Sequence, residues 1–156
     1  MSRLLLVVLA ASGTISQAQE LVKKLDNQAH PVILVGDFNS KAPNPHAPTG
    51  LTYQFLLSEQ YVDVWNVNQL TDDPMGYTYG HDESLRERDF DFYERIDFIF
   101  LRNKVRPYRL GPVEAWVIGK DVDVFDIYEL WPSDHAGVVA SFMMPKWNRQ
   151  HAWGKN

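Results

Sequence analysis

Asp37 and Asn39 in Gly36-Asp37-Phe38-Asn39, Asp97 in Arg95-Ile96-Asp97, and Asp134 with His135 in Ser133-Asp134-His135 are the residues whose types and spacing can do chemistry. Each word adjoins an apolar run: PVILV before the first, FIFL after the second and AGVVASF after the third. Oxygen donors of this kind suit a hard cation. An imidazole beside a carboxylate can move protons near neutral pH. Gathered in one place, these are the groups a metal-assisted hydrolase uses.

Each word has two readings when taken alone. Asp37 and Asn39 are two apart, so in extended backbone they point to one side. At the carboxyl end of a strand, where α/β sheets place ligands, they can hold a cation, orient a water and contact a phosphate oxygen. Gly, Asp and Asn also favour plain turns. In the second word Ile96, Phe98 and Phe100 share one strand face, and Asp97, Ile99 and Leu101 share the other. A carboxylate in that row needs a partner, because a buried unpaired charge costs several kcal/mol. Arg95 on the same face is one partner, a purely structural one. His135 is the other, in which case Asp97 fixes the imidazole tautomer and raises its basicity. In the third word, at a loop-to-strand entry, Asp134 and His135 can reach one cleft. Asp134 suits a cation, and His135 suits an acid, a base or a stabiliser of charge on phosphorus. The alternative is an ordinary strand start with a solvated histidine.

The elements that must position these words are readable from the pattern. Residues 4–9 form a short apolar run, fit for a buried strand. Ser16 and Gln19 suggest a capping box, followed by Ile15, Ala18, Leu21, Val22 and Leu25 at helical spacing, which predicts a helix over 15–27. A second buried strand is expected over 32–35, ending at Gly36. Strand, helix and strand in succession indicate α/β layering. The proline-rich stretch 40–50 reads as a loop, 51–57 as a short helix and 61–65 as a short strand. Residues 72–76 read as a turn, 77–79 as β-prone and 80–94 as a charged loop. Strands are expected over 96–101, 104–110, 113–118 and 136–143. Residues 121–130 fit either class. The expected organisation is one domain over 1–144 and an irregular tail over 145–156.

Composition narrows the partners. The 156 residues are 45% hydrophobic and 13% aromatic, which supports a packed core and excludes a disordered chain. A net charge of −5 argues against a broad basic surface for duplex nucleic acid and leaves room for a local phosphate site. There is no cysteine, so a metal must be held by oxygen and imidazole. The opening MSRLLLVVLAASG has the look of a weak secretory signal, with Ser16-Gln17-Ala18 as a cleavage point. A buried strand followed by a helix is the favoured reading. The stretch is too short to span a bilayer, no membrane partner is expected, and the cytoplasm is slightly favoured with secretion left open.

In order and context, GDFN, RIDF and SDH resemble the endonuclease/exonuclease/phosphatase superfamily, whose pattern has a GDxN word, a later R-(I/L)-D-(Y/F) strand and a terminal SDH word. Gly76-Tyr77-Thr78-Tyr79-Gly80 resembles the family's aromatic-threonine segment. The resemblance implies a DNase I-like layered α/β sandwich and hydrolysis of phosphodiester or phosphomonoester bonds by in-line water attack with Mg²⁺ or Mn²⁺. By position, Asp37 resembles the residue that orients or deprotonates the water, and Asn39 its companion on the phosphate. Asp97 resembles the carboxylate paired with the catalytic histidine, His135 that histidine, and Asp134 a metal ligand alongside Asp37 and Asn39.

The match covers only the carboxy-terminal half of the family pattern, so the expected fold is truncated to about half. The family's principal metal-binding Glu has no counterpart; Gln19-Glu20 imitates its word but falls in the expected helix. Weak metal binding is expected, together with an apolar sheet face covered by a second copy in a homodimer. The expected partner is a phosphoester, with nucleic acid among the candidates. Two alternatives stand beside this reading: a degenerate, non-catalytic scaffold, and hydrolysis of a different ester involving Ser133. The second lacks a G-x-S-x-G elbow.

Overall fold

A computed structural model describes residues 5–9, 14–67, 73–80, 84–87, 91–103, 109–121 and 130–144. The expected strand over 104–110 and the ambiguous segment 121–130 fall largely outside these residues, and the tail 145–156 falls wholly outside them.

Strand β1 (Leu5–Leu9) runs parallel to β2 (Val32–Asp37), and helix α1 (Ile15–Leu25) makes the connection. Helix α1 starts at Ile15 as expected, but its cap lies two residues earlier than the sequence suggests. Thr14, not Ser16, is the N-cap, and its side chain and that of Gln17 form the reciprocal box. The helix stops at Leu25, with Lys23 and Lys24 in the last turn, where cations offset the negative helix end. Ala18, Val22 and Leu25 are its buried stripe.

Helix α2 (Leu51–Ser58) leads into β3 (Val62–Asp63), and the chain then turns at once into α3 (Val64–Val67). The expected strand over 61–65 is therefore cut short. Asp63 Oδ1 accepts the Trp65 N–H at 3.1 Å, an aspartate cap that begins a helical turn where alternation alone predicts more strand. Strand β4 (Asp97–Arg102) pairs antiparallel with both β2 and β3, giving the sheet order β1-β2-β4-β3. A second sheet is the antiparallel pair β5 (Gly111–Ile118) and β6 (Gly137–Met143), with a register shift between Pro112 and Glu114.

Alternation along β2 and β4 divides the core in two. Val32, Leu34, Phe98 and Phe100 face the helices and pack with Val22, Leu25, Tyr53 and Leu56. Ile33 and Leu101 face the opposite way, with Val64, Trp65, Leu110 and Ala115, and β5–β6 contributes Val117, Val138, Ala140 and Phe142. The layers run helices, four-stranded sheet, two-stranded sheet. The face expected to be bare is thus partly covered by the chain's own β5–β6 pair. Among the described residues, Trp116, Ile118, Met143 and Met144 remain exposed apolar side chains on that second sheet and its end.

The junction between layers is fixed by a buried ion pair. Arg95 Nη1 lies 2.6 Å from Asp63 Oδ2, with the two side chains 5% and 1% exposed. Tyr53 and the Trp65 N–H also donate to Asp63, and the Arg95 Nε donates to the Met75 carbonyl. Burial first, and then Asp63, push the Tyr53 phenol up to about 12. At the same junction Gly76 has φ +59°, and a Cβ there would lie 2.3 Å from the Trp65 ring. No described helix is long and apolar enough to cross a membrane.

Candidate active site

Asp37 is the last residue of β2 and Asp97 the first of β4, and the antiparallel register sets them directly opposite each other. Cross-strand partners share a sheet face. By alternation this is the face of Ile33 and Leu101, the one that looks toward β5–β6. His135 stands just before β6 and meets Asp97 from that second layer. Its Nδ1 is 2.8 Å from Asp97 Oδ2, with the side chains 26% and 18% exposed. The Asp97–His135 pairing holds, and the Arg95 alternative fails because Arg95 is committed to Asp63.

Electrostatics follow from this crowding. Burial pushes the Asp97 carboxyl up, the hydrogen bonds from His135 and Thr78 pull it back, and the charge of Asp37 adds to the rise, so the net direction is upward. Burial alone would lower the His135 imidazole. The hydrogen bond and charge of Asp97, with the charges of Asp134 and Asp37, outweigh it and hold the ring above its ordinary value. Asp97 occupies Nδ1, which leaves Nε2 as the ring nitrogen outside this pair.

Asn39 comes to Asp37 by a turn, not by strand alternation. Its φ is +45°, in the left-handed region that Asn tolerates. Its backbone N–H donates to Asp37 Oδ1 at 2.7 Å, and its Nδ2 donates to Oδ2 at 2.9 Å. The turn reading of this word is thus observed, and the turn keeps both side chains together at the end of β2. Asp134 is exposed next to His135, and the His135 backbone N–H donates to Ser133 Oγ at 3.0 Å. Trp131, through its backbone N–H to Leu85 O and its Nε1 to Glu87 O, fixes the approach to this word.

Two residues in the site were not given roles from sequence. Tyr79 bridges Glu94 on one side and His135 on the other, and its ring centroid is 4.9 Å from that of the imidazole. Thr78, just before it, is fully buried and accepts the Ile96 and Asp97 N–H groups. The β-prone Tyr77-Thr78-Tyr79 run was the available signal. Glu20, the imitation of the family Glu, points elsewhere, paired with Lys24 at 2.6 Å and largely exposed on α1.

A cleft of about 250 Å³ opens between the layers beside the pair, lined by Val35, Gly36, Asp97, Ile99, Ala136 and Val138 among others. Asp37, Asn39 and Asp134 can contribute oxygens to a cation. They do not complete a site for one: among the described residues no group of three or more His, Asp or Glu is arranged to hold a metal. Both Asp37 oxygens already accept from Asn39.

Comparisons with known proteins agree with the layered arrangement. Residues 8–135 match the model of the Endonuclease/Exonuclease/phosphatase family. No curated protein matches the sequence. Among solved structures, an endonuclease/exonuclease/phosphatase family protein from Leptotrichia buccalis C-1013-b is 26% identical, with TM-score 0.53 over 83% of this chain and 41% of that one. A mannosyl-6-phosphatase of Bacteroides thetaiotaomicron VPI-5482 is 21% identical, with TM-score 0.54 over 83% of this chain and 44% of its own. A humanized D. rerio TDP2 is 19% identical, with TM-score 0.55 over 90% and 55%. The chain therefore spans about half the length of these structures and shares their DNase I-like α/β fold. The family comprises phosphoester hydrolases that generally use divalent metals. With the match running from within β1 to His135, this chain belongs to the endonuclease/exonuclease/phosphatase family.

Proposed function

We propose that this chain carries the histidine side of a phosphoester hydrolase centre, acting on a phosphodiester or phosphomonoester by in-line attack of water. The observation that carries the reading is the 2.8 Å Asp97–His135 bond, whose Asp97 lines the inter-layer cleft, with Asp37 directly opposite Asp97. Asp37 orients the attacking water and takes its proton. Asn39 uses one amide hydrogen on Asp37, and the other is free to donate to a phosphoryl oxygen. Asp97 holds Nδ1, so His135 presents Nε2 to the phosphoryl group. The raised pKa keeps that nitrogen protonated closer to neutral pH, where it stabilises the charge that develops on phosphorus or protonates the departing oxygen.

Mg²⁺ or Mn²⁺ dependence is part of the proposal, on the family's general habit, with Asp37, Asn39 and Asp134 as contributing oxygens. A cation would need further ligands beyond these three, and no step above is routed through it. A colorimetric assay with bis(4-nitrophenyl) phosphate and 4-nitrophenyl phosphate tests the reading. Turnover that requires Mg²⁺ or Mn²⁺ and is abolished by EDTA supports it. Equal rates with protein and with buffer refute it.

A second reading, a scaffold that has lost catalysis, is suggested by the incomplete cation set among the described residues. Calorimetry separates the two: heat of Mg²⁺ or Mn²⁺ binding supports the hydrolase, and its absence supports the scaffold. Cleavage of another ester by Ser133 finds less support, because the Ser133 hydroxyl accepts from the His135 backbone N–H and donates to Asp134 Oδ1 instead of to the imidazole. A homodimer belongs to the main reading. The exposed Trp116 and Ile118 of β5 and Met143 and Met144 at the end of β6 supply apolar surface that a second copy would cover.

A further inference from the structure

We infer that Thr78 is a positioning residue for the Asp97–His135 pair, acting through its side-chain hydroxyl. The inference rests on the reading that these two side chains work as a unit. The pair joins residues 38 apart in sequence, contributed by different layers. Such a contact needs something to hold both strand entries in register. Thr78 touches both. Its backbone N–H donates to Glu94 O at 2.8 Å, and its carbonyl accepts the Ala136 N–H at 2.7 Å, next to His135. Its hydroxyl accepts the N–H groups of Ile96 and Asp97, each at 3.3 Å.

A hydroxyl has two acceptor positions, and here both are used. At 0% exposure a valine of nearly the same shape would fill the space with no polar group to bury. The backbone bonds of Thr78 would survive that change, so they explain why a residue is extended here, not why it carries an oxygen. The oxygen is accounted for by Asp97: it pins the backbone of the residue whose carboxylate must face His135. Tyr79 completes the arrangement by packing against the outer side of the imidazole.

The test is the proton shared between His135 Nδ1 and Asp97, observed by ¹H–¹⁵N NMR in EDTA on the whole chain. Compared are wild type, Thr78→Ser, Thr78→Val and Thr78→Cys. Thr78→Ser should keep the wild-type exchange rate of that proton with water. Thr78→Val should exchange it about tenfold faster, the consequence of losing one ordinary hydrogen bond. Thr78→Cys, with a weak acceptor and little change in size, should move in the same direction and decides the matter if Thr78→Val does not fold. Wild-type exchange in the folded valine or cysteine variant overturns the inference, and so does a serine variant that exchanges as fast as they do. No turnover is needed, so a chain that fails to hydrolyse phosphoesters counts against the proposed function and leaves this result standing.

Discussion

At the scale of single residues, the site is a balance of negative charges around one imidazole. Asp97 is in bond contact with His135, and Asp37 and Asp134 add field without a bond. This has a consequence for stability. A histidine whose pKa is raised on folding stabilises the fold fully below its unfolded value of 6.5, and that contribution is lost as pH rises through the raised value. Asp97 is also raised, but its window opens from 3.8 upward and lies at lower pH. Urea denaturation between pH 6 and 8 should therefore show wild type losing an advantage over His135→Ala as pH increases, by about 1 kcal/mol or less for a solvent-screened pair. An unchanged difference across that range would contradict the assignment. The residues themselves were legible in the sequence because GDFN, RIDF and SDH are compact words. The partner of Asp97 was not, since Arg95 and His135 fit equally well until Asp63 is seen to take the arginine.

At the scale of elements, the site depends on how β4 is anchored. Arg95, two residues before its first residue, is locked to Asp63, Asn66 and Met75. Asp63→Ala leaves the buried guanidinium without its carboxylate and should cost about 3–5 kcal/mol in urea unfolding. A loss under 1 kcal/mol would mean water reaches Arg95 after all. Gly76 is a second anchor. Gly76→Ala combines a left-handed backbone with a Cβ 2.3 Å from Trp65, and about 2 kcal/mol of destabilisation is expected from strain and overpacking. The runs that became β1, β2, β4 and β6 were legible because both faces are apolar and the flanks are polar. Helix α1 was misplaced at its cap because Ser16 and Gln19 mimic the box that Thr14 and Gln17 make. Strand β3 was overextended because the aspartate cap at Asp63 is a side-chain event that alternation does not report.

At the scale of the whole molecule, two sheets meet along one face and the pair of residues that matters lies across that meeting. Pairing of distant segments such as β2 with β4 was not readable from local pattern, because register depends on which apolar faces close on each other. The proposed homodimer is tested here by light scattering at micromolar concentration, where twice the mass of an 18.0 kDa chain is expected and a monomer would refute it. The central claim is that His135, held by Asp97, performs phosphoester hydrolysis. Its most direct test is kcat/KM for bis(4-nitrophenyl) phosphate with Mg²⁺ or Mn²⁺, wild type against His135→Ala. The account predicts a loss of about 100-fold or more, the usual worth of a proton-transferring side chain. Equal rates for the two proteins would contradict it.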